Sequence, residues 1–127
     1  MDMSYSYKPV LLKAILHYAD DKGRIKLPDI ASYFRAFYEN RRSSGLVVEK
    51  KNSIFAKGSY TDKDAERNIL SNPFKRFEDM DMLRHTKTLG IVEVDSSVWK
   101  RLNKEDKAEI QHVCEEKLEV YYRRFEK

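Results

Sequence analysis

The tightest constraint on this chain is Pro73, inside the stretch Asn72-Pro73-Phe74-Lys75-Arg76-Phe77. Proline has no backbone N–H and a fixed φ, so a helix arriving through Ile69 and Leu70 cannot simply continue past Asn72. A new helix is well served there. Asn72 is a good N-cap, and proline is tolerated at the first helical position. Phe74, Phe77, Met80 and Leu83 fall at helical spacing on one face, while Lys75, Arg76 and Asp79 point elsewhere. Residues 82–85 and 91–94 then read as two strands, joined by a turn over 86–90.

The segments before this stretch supply the elements such a unit needs. A helix is expected from Pro9, with Leu11, Leu12, Ile15, Leu16 and Ala19 as its apolar stripe and Gly23 as its C′ glycine. Residues 24–27 alternate polar and apolar, as a short strand does. Pro28-Asp29 opens a second helix that buries Ile30, Phe34, Phe37 and Tyr38 and ends near Arg41-Arg42-Ser43-Ser44-Gly45. Residues 45–61 are the least readable. Leu46-Val47-Val48 has strand character, and residues 53–60 read as a loop pinned by Ile54, Phe55 and Tyr60. Thr61-Asp62-Lys63-Asp64 has the form of a capping box for the helix that ends at Ser71. After the hairpin, Asp95 or Ser96 caps a turn carrying Val98, Trp99 and Leu102. Asn103 then caps a long last helix striped by Ile110, Val113 or Cys114, Leu118, Tyr121 and Phe125.

Helix, strand, helix, further helix and hairpin is the element order of winged-helix domains. The expected fold is therefore α+β and mainly helical. It is a winged-helix-like domain with five or six helices, a small β-hairpin and a long C-terminal helix, and residues 1–127 form a single domain. With 41% hydrophobic and 36% charged residues the chain reads as a globular protein with a real core. Its one tryptophan, eight tyrosines and six phenylalanines make that core aromatic-rich. The one cysteine, Cys114, excludes an internal disulfide framework. No apolar run approaches a membrane span, and the first residues have neither the basic nor the apolar part of a signal peptide. The expected location is the cytoplasm, with no membrane partner.

Charge directs the functional expectation. The net +4 is modest, but residues 41–87 hold eleven basic and seven acidic side chains, which is +4 on their own. A basic middle suits an anionic partner, and duplex DNA is the expected one. In a helix-turn-helix the second helix enters the major groove while the hairpin touches phosphate or minor groove. Lys75 and Arg76 then face the groove, with arginine suited to guanine and lysine to phosphate. Arg84, His85 and Lys87 become wing contacts, and Arg41, Arg42, Lys50 and Lys51, with Lys57, extend a phosphate track. The acids Glu78, Asp79 and Asp81 interrupt this face, and the competing reading is the wet side of an amphipathic helix.

Other chemistries are weaker. Pro28-Asp29, nineteen intervening residues and Glu49-Lys50-Lys51 match the spacing of a magnesium-dependent nuclease signature, in which two carboxylates hold the metal and a lysine steadies charge at the phosphate. That signature places its acids on adjoining strands, whereas Asp29 opens a helix. His17, His85, His112 and Cys114 are the soft ligands, and the i, i+2 spacing of the last two puts them on different helix faces. The glycines stand apart at 23, 45, 58 and 90, so no phosphate-cradling loop exists. The expectation is thus no catalytic residue, no metal and no cofactor. Tyr5, Tyr7, Tyr33, Tyr60, Tyr121 and Tyr122 suit a core, a base stack or a protein interface. The alternative function is a protein-interaction or inhibitor module acting through the tyrosine-rich ends, including a C-terminal helix that forms a dimer seam or docks on a larger protein.

Lys8-Pro9-Val10-Leu11-Leu12, residues 49–55 and Asn72-Pro73-Phe74-Lys75-Arg76-Phe77 together give the chain a further likeness over nearly its whole length. It resembles a bacterial accessory domain associated with the ends of large helicases in restriction and phage-defence loci. The resemblance implies either a separate subunit of a defence system, partnered by a larger protein, or a phage-borne inhibitor of one, such as an anti-CRISPR protein. It transfers no site residue.

Overall fold

The computed structural model describes residues 4–125. The elements are α1 (Tyr7–Tyr18), β1 (Arg24–Lys26), α2 (Leu27–Ser43), α3 (Ile54–Lys57), α4 (Asp62–Ser71), α5 (Pro73–Asp79), β2 (Leu83–Thr86), β3 (Ile91–Val94), α6 (Ser96–Arg101) and α7 (Lys104–Arg123). The fold is α+β and mainly helical, with a three-stranded antiparallel sheet in the order β1-β3-β2 and a long final helix.

Each element follows from its sequence. Val10, Leu11, Ala14 and Ile15 make the buried face of α1, which packs between α2 and α7 and also touches α5. Ile30, Ala31, Phe34 and Tyr38 bury the matching face of α2, which also receives α4. The anticipated capping box of Thr61 with Asp64 opens α4, and the expected cap Asn103 opens α7 as part of a second box with Asp106. Asp95 caps α6 by accepting from Val98 N–H. Pro73 begins α5, but the Asn72 side chain makes no cap bond. Asp81, at φ +58, reverses the chain out of α5 so that it can enter β2. A short polar side chain tolerates that left-handed conformation better than most.

The sheet covers one end of the helices. Ile25 lies opposite Val92, and Leu83 opposite Val94. These side chains are buried while their strand neighbours Arg24, Lys26 and Arg84 are exposed. The turn before β1 depends on Gly23. Its φ is +78, and a β-carbon there would come within 2.8 Å of the Trp99 ring. Trp99 is fixed in turn by its indole N–H, which donates to Asp21 O at 3.0 Å.

Several expectations are corrected. α1 begins at Tyr7 rather than Pro9, which brings Tyr7 into the core. It ends at Tyr18, so Gly23 shapes the turn into β1 rather than a helix C′ position. Residues 46–48 form no strand, because no neighbouring strand lies beside them to complete a ladder. Within the expected 53–60 loop, residues 54–57 form one helical turn, capped by the Ser53 hydroxyl. Met80, placed on the buried face of α5, is exposed because the helix stops at Asp79 and the chain turns away. Val113 faces out while Cys114 is buried. Seven helices are described where five or six were anticipated.

Among the described residues the one buried charged side chain is Glu49. Its oxygens accept from Ser6 N–H at 2.8 Å, the Ser6 hydroxyl at 2.5 Å, Lys50 N–H at 2.8 Å and the Tyr121 hydroxyl. Around it, Tyr38 shares a hydrogen bond with Ser6 Oγ at 2.6 Å, Tyr122 donates to Val48 O at 2.7 Å, and Tyr7 meets Ser53 Oγ at 2.6 Å. An aromatic block adjoins this network. Tyr38 stacks on Phe55 at 4.7 Å, with the edges of Tyr7 and Tyr60 against Phe55 at 5.7 and 5.0 Å. Four donors meet the two oxygens, so the acceptor capacity of this buried carboxylate is largely used.

Two outcomes follow for stability. Glu49→Ala leaves the Ser6 N–H and the Tyr121 hydroxyl without their acceptor, and urea unfolding should show a loss of roughly 3 kcal/mol or more. Alkali gives a second test. Burial pushes the Tyr7 and Tyr122 hydroxyls up from 10.0 to about 12, and Tyr38 and Tyr121 are raised as well. Between pH 10 and 12 the folded state therefore holds protons that the unfolded chain releases, so stability falls as pH rises through that window. Tyrosinate absorbance from these residues should appear together with unfolding, not before it.

Candidate nucleic-acid interface

α5, the β2–β3 hairpin and the segment from residue 46 to α3 carry the nine side chains expected to meet nucleic acid, apart from Arg41 and Arg42 in the last turn of α2. Hairpin and α5 are held together by packing: β2 contacts α5, and His85 lies edge-on to Phe74 with ring centres 6.2 Å apart. Phe74 is buried, which anchors the first turn of α5 and leaves Lys75 and Arg76 exposed on successive positions.

Those two cations have different surroundings. Lys75 Nζ is 2.7 Å from Asp79 and 3.8 Å from Glu78. The hydrogen bond to Asp79 holds its ammonium above the usual lysine range, so the charge is retained but locally balanced. Arg76 is about one hundred degrees further round the helix. It has no hydrogen bond or ion pair among the described residues. It lines a small cavity of about 80 Å³ with Ser4, Tyr5, Tyr7, Lys8 and Asn72.

On the hairpin, Arg84 is exposed on β2, directly across from Glu93 on β3, and it helps hold the Asp95 carboxyl below the usual range after the larger effect of the Ser97 hydroxyl. Lys87 is exposed in the turn, with no partner among the described residues. His85 is half-buried and serves as packing.

The other four are distributed less uniformly than a phosphate track requires. Arg41 donates to Val47 O at 2.6 Å, and its guanidinium lies 3.4 Å from the centre of the Tyr122 ring. Arg42 donates to Phe55 O at 2.6 Å and pairs with Glu39 at 3.7 Å. Both hold the 46–57 segment to the end of α2. Lys50 Nζ sits 4.9 Å from the centre of the Tyr5 ring, and Asn52 donates to the Tyr5 hydroxyl at 2.9 Å. Lys51 is exposed in the adjoining turn. The fold thus sets Lys50 against the ring of Tyr5, a tyrosine that shares a cavity lining with Arg76.

Lys8 and Asn72 join this group without having been expected there. Their only sequence signal is position: Lys8 follows Tyr7 at the start of α1, and Asn72 precedes α5.

The alternative chemistries also have definite places. Asp29 lies in the first turn of α2 and Glu49 in an irregular segment, not on adjoining strands. Glu49 already accepts from four donors. Cys114 is buried, and burial pushes its thiol up to about 11. Among the described residues, no group of three or more His, Cys, Asp or Glu side chains is arranged to hold a metal ion, and no helix is long and apolar enough to cross a membrane.

No protein-family model, curated protein or solved structure matches the chain.

The Lys75–Asp79 pair generates a direct test. Asp79→Asn should return the Lys75 ammonium toward its ordinary titration range, read by side-chain NMR. It should also delay elution from a heparin column to higher salt, because a local acid is removed from the α5 face. Unchanged elution would show that this face does not meet polyanions.

Proposed function

We propose that the chain is a non-catalytic nucleic-acid-binding module, with duplex DNA as its partner, acting through α5, the hairpin and the basic edge around Tyr5. The observation that carries this reading is the pairing of an unneutralised cation on α5, Arg76, with a hairpin packed directly against that helix and bearing Arg84 and Lys87. A helix followed by a wing, in a sheet ordered β1-β3-β2, is the arrangement by which winged-helix domains present both elements to one duplex. α5 has only seven residues, and Lys75 is balanced by two acids. Phosphate contact is therefore the larger part of the proposed binding, and base reading the smaller.

A second reading, a protein-interaction module, has its own support. Leu46, Val47 and Val120 are exposed at 52%, 40% and 55%. Leu46 also rims a groove of about 540 Å³ that includes Phe37, Leu118 and Tyr122. A place in a defence or anti-defence system belongs with either reading and rests on the resemblance alone.

Duplex binding measured by fluorescence anisotropy should weaken steeply with salt, with a log–log slope of about −0.9 per phosphate contacted. Replacing Arg84 and Lys87 together by Ala should lower that slope by up to about two while leaving the fold intact. Absence of binding even at low salt would dismiss the leading reading. Retention of a protein partner from lysate after nuclease treatment, lost on Leu46→Glu, would favour the second.

A further inference from the structure

We infer that the cavity beside Tyr5 is a phosphate-binding site, holding one tetrahedral phosphate group between Arg76 and the Asn72 amide. The natural source of that phosphate rests on the nucleic-acid reading, but the site is argued from its own residues.

Size and lining come first. The cavity holds about 80 Å³ and is lined by Ser4, Tyr5, Tyr7, Lys8, Asn72 and Arg76. That is room for a compact oxyanion. Among the described residues no Asp or Glu lines it, while Arg76, Lys8, Asn72 and Ser4 do. Such a set is rich in donors and carries positive charge, the complement of a phosphate. Within α5, Lys75 is engaged by Asp79 and Glu78, whereas Arg76 has no partner among the described residues. The Asn72 side chain is not engaged in capping α5.

The tyrosines decide between phosphate and base. Tyr5 and Tyr7 stack face to face, 4.8 Å apart and within 3° of parallel. Lys50 Nζ lies 4.9 Å from the centre of the Tyr5 ring. Because Tyr7 occupies one face, the lysine covers the other. A base would have to displace that lysine to stack on Tyr5, which counts against the route by which exposed tyrosines bind single strands. What Tyr5 supplies instead is a rigid wall, held by Asn52 at its hydroxyl, that keeps a third cation beside the cavity. An arginine fork suits this site better than lysine, since it can hold two phosphate oxygens at once.

Two titrations test the site. In the first, isotope-labelled protein is titrated with inorganic phosphate at constant ionic strength, with chloride as control. Saturable NMR shifts should appear at Tyr5, Lys8, Asn72 and the Arg76 guanidinium, and Arg76→Gln should weaken binding roughly tenfold. In the second, duplex DNA binding is followed against salt, and Arg76→Gln should lower the slope by about one. Arg76 is exposed, so circular dichroism should show the variant folded. If inorganic phosphate saturates the wild-type cavity through Arg76 but DNA does not bind, the site stands, a free phosphate or phosphoester is its source, and the nucleic-acid reading falls. If DNA binds with an unchanged slope in Arg76→Gln and phosphate leaves the cavity residues unshifted, the cavity inference is overturned and the nucleic-acid reading stands. Unsaturable shifts spread over the surface would overturn the cavity inference as well.

Discussion

The buried carboxylate of Glu49 organises this molecule. A charge taken out of water is costly unless donors surround it, and here the donors come from distant parts of the chain. Ser6 contributes from the residue before α1, Lys50 from the central segment and Tyr121 from the last turns of α7. Tyr38 of α2 and Tyr122 of α7 extend the network through Ser6 and Val48. A segment without regular structure is thereby tied to both ends of the chain. Hydrophobic burial drives these elements together, but apolar contacts have little directional preference. Hydrogen bonds to one carboxylate do, and they set the position of residues 46–53 relative to α1 and α7.

That arrangement determines which cations face outward. Arg41 and Arg42 follow the same segment and are drawn onto its carbonyls and onto Tyr122. Lys50 leaves the carboxylate's side through its backbone and crosses the Tyr5 ring with its side chain. The basic excess of residues 41–87 is thus divided by tertiary contacts. Part of it braces the fold, and part collects near Arg76 and the hairpin. Net charge alone does not distinguish these uses, because a guanidinium bonded to a carbonyl and one facing solvent count the same.

The readable parts of the sequence were those whose physics is local. Thr61 precedes an acid by three residues and its capping box formed, and Asn103 capped the last helix as expected. Pro73 started a helix because its ring cannot sit inside one. The alternation in residues 91–94 placed Val92 and Val94 inward. The misread parts were those set by distant partners. Leu46-Val47-Val48 has strand-forming residues but no neighbouring strand, and Met80 lost its buried place when Asp81 turned the chain. Tyr5 and Tyr7 were recognisable as aromatics needing a role. Nothing near them in sequence indicated that Lys50 would close the free face of Tyr5.

By itself the sequence determined the longer helices, several of their caps, the hairpin and the mainly helical α+β class, because hydrophobic periodicity, proline geometry and capping act within a few residues. Tertiary structure alone decided that Glu49 is an interior hub rather than a surface acid or a metal ligand. It also decided that Arg76 and Lys8 line one cavity with Tyr5, whose ring Lys50 also meets. Residues 8, 50 and 76 share no local pattern. They come near Tyr5 because α1, the central segment and α5 are packed around a common core, and electrostatic fields depend on that spatial distance rather than on separation along the chain.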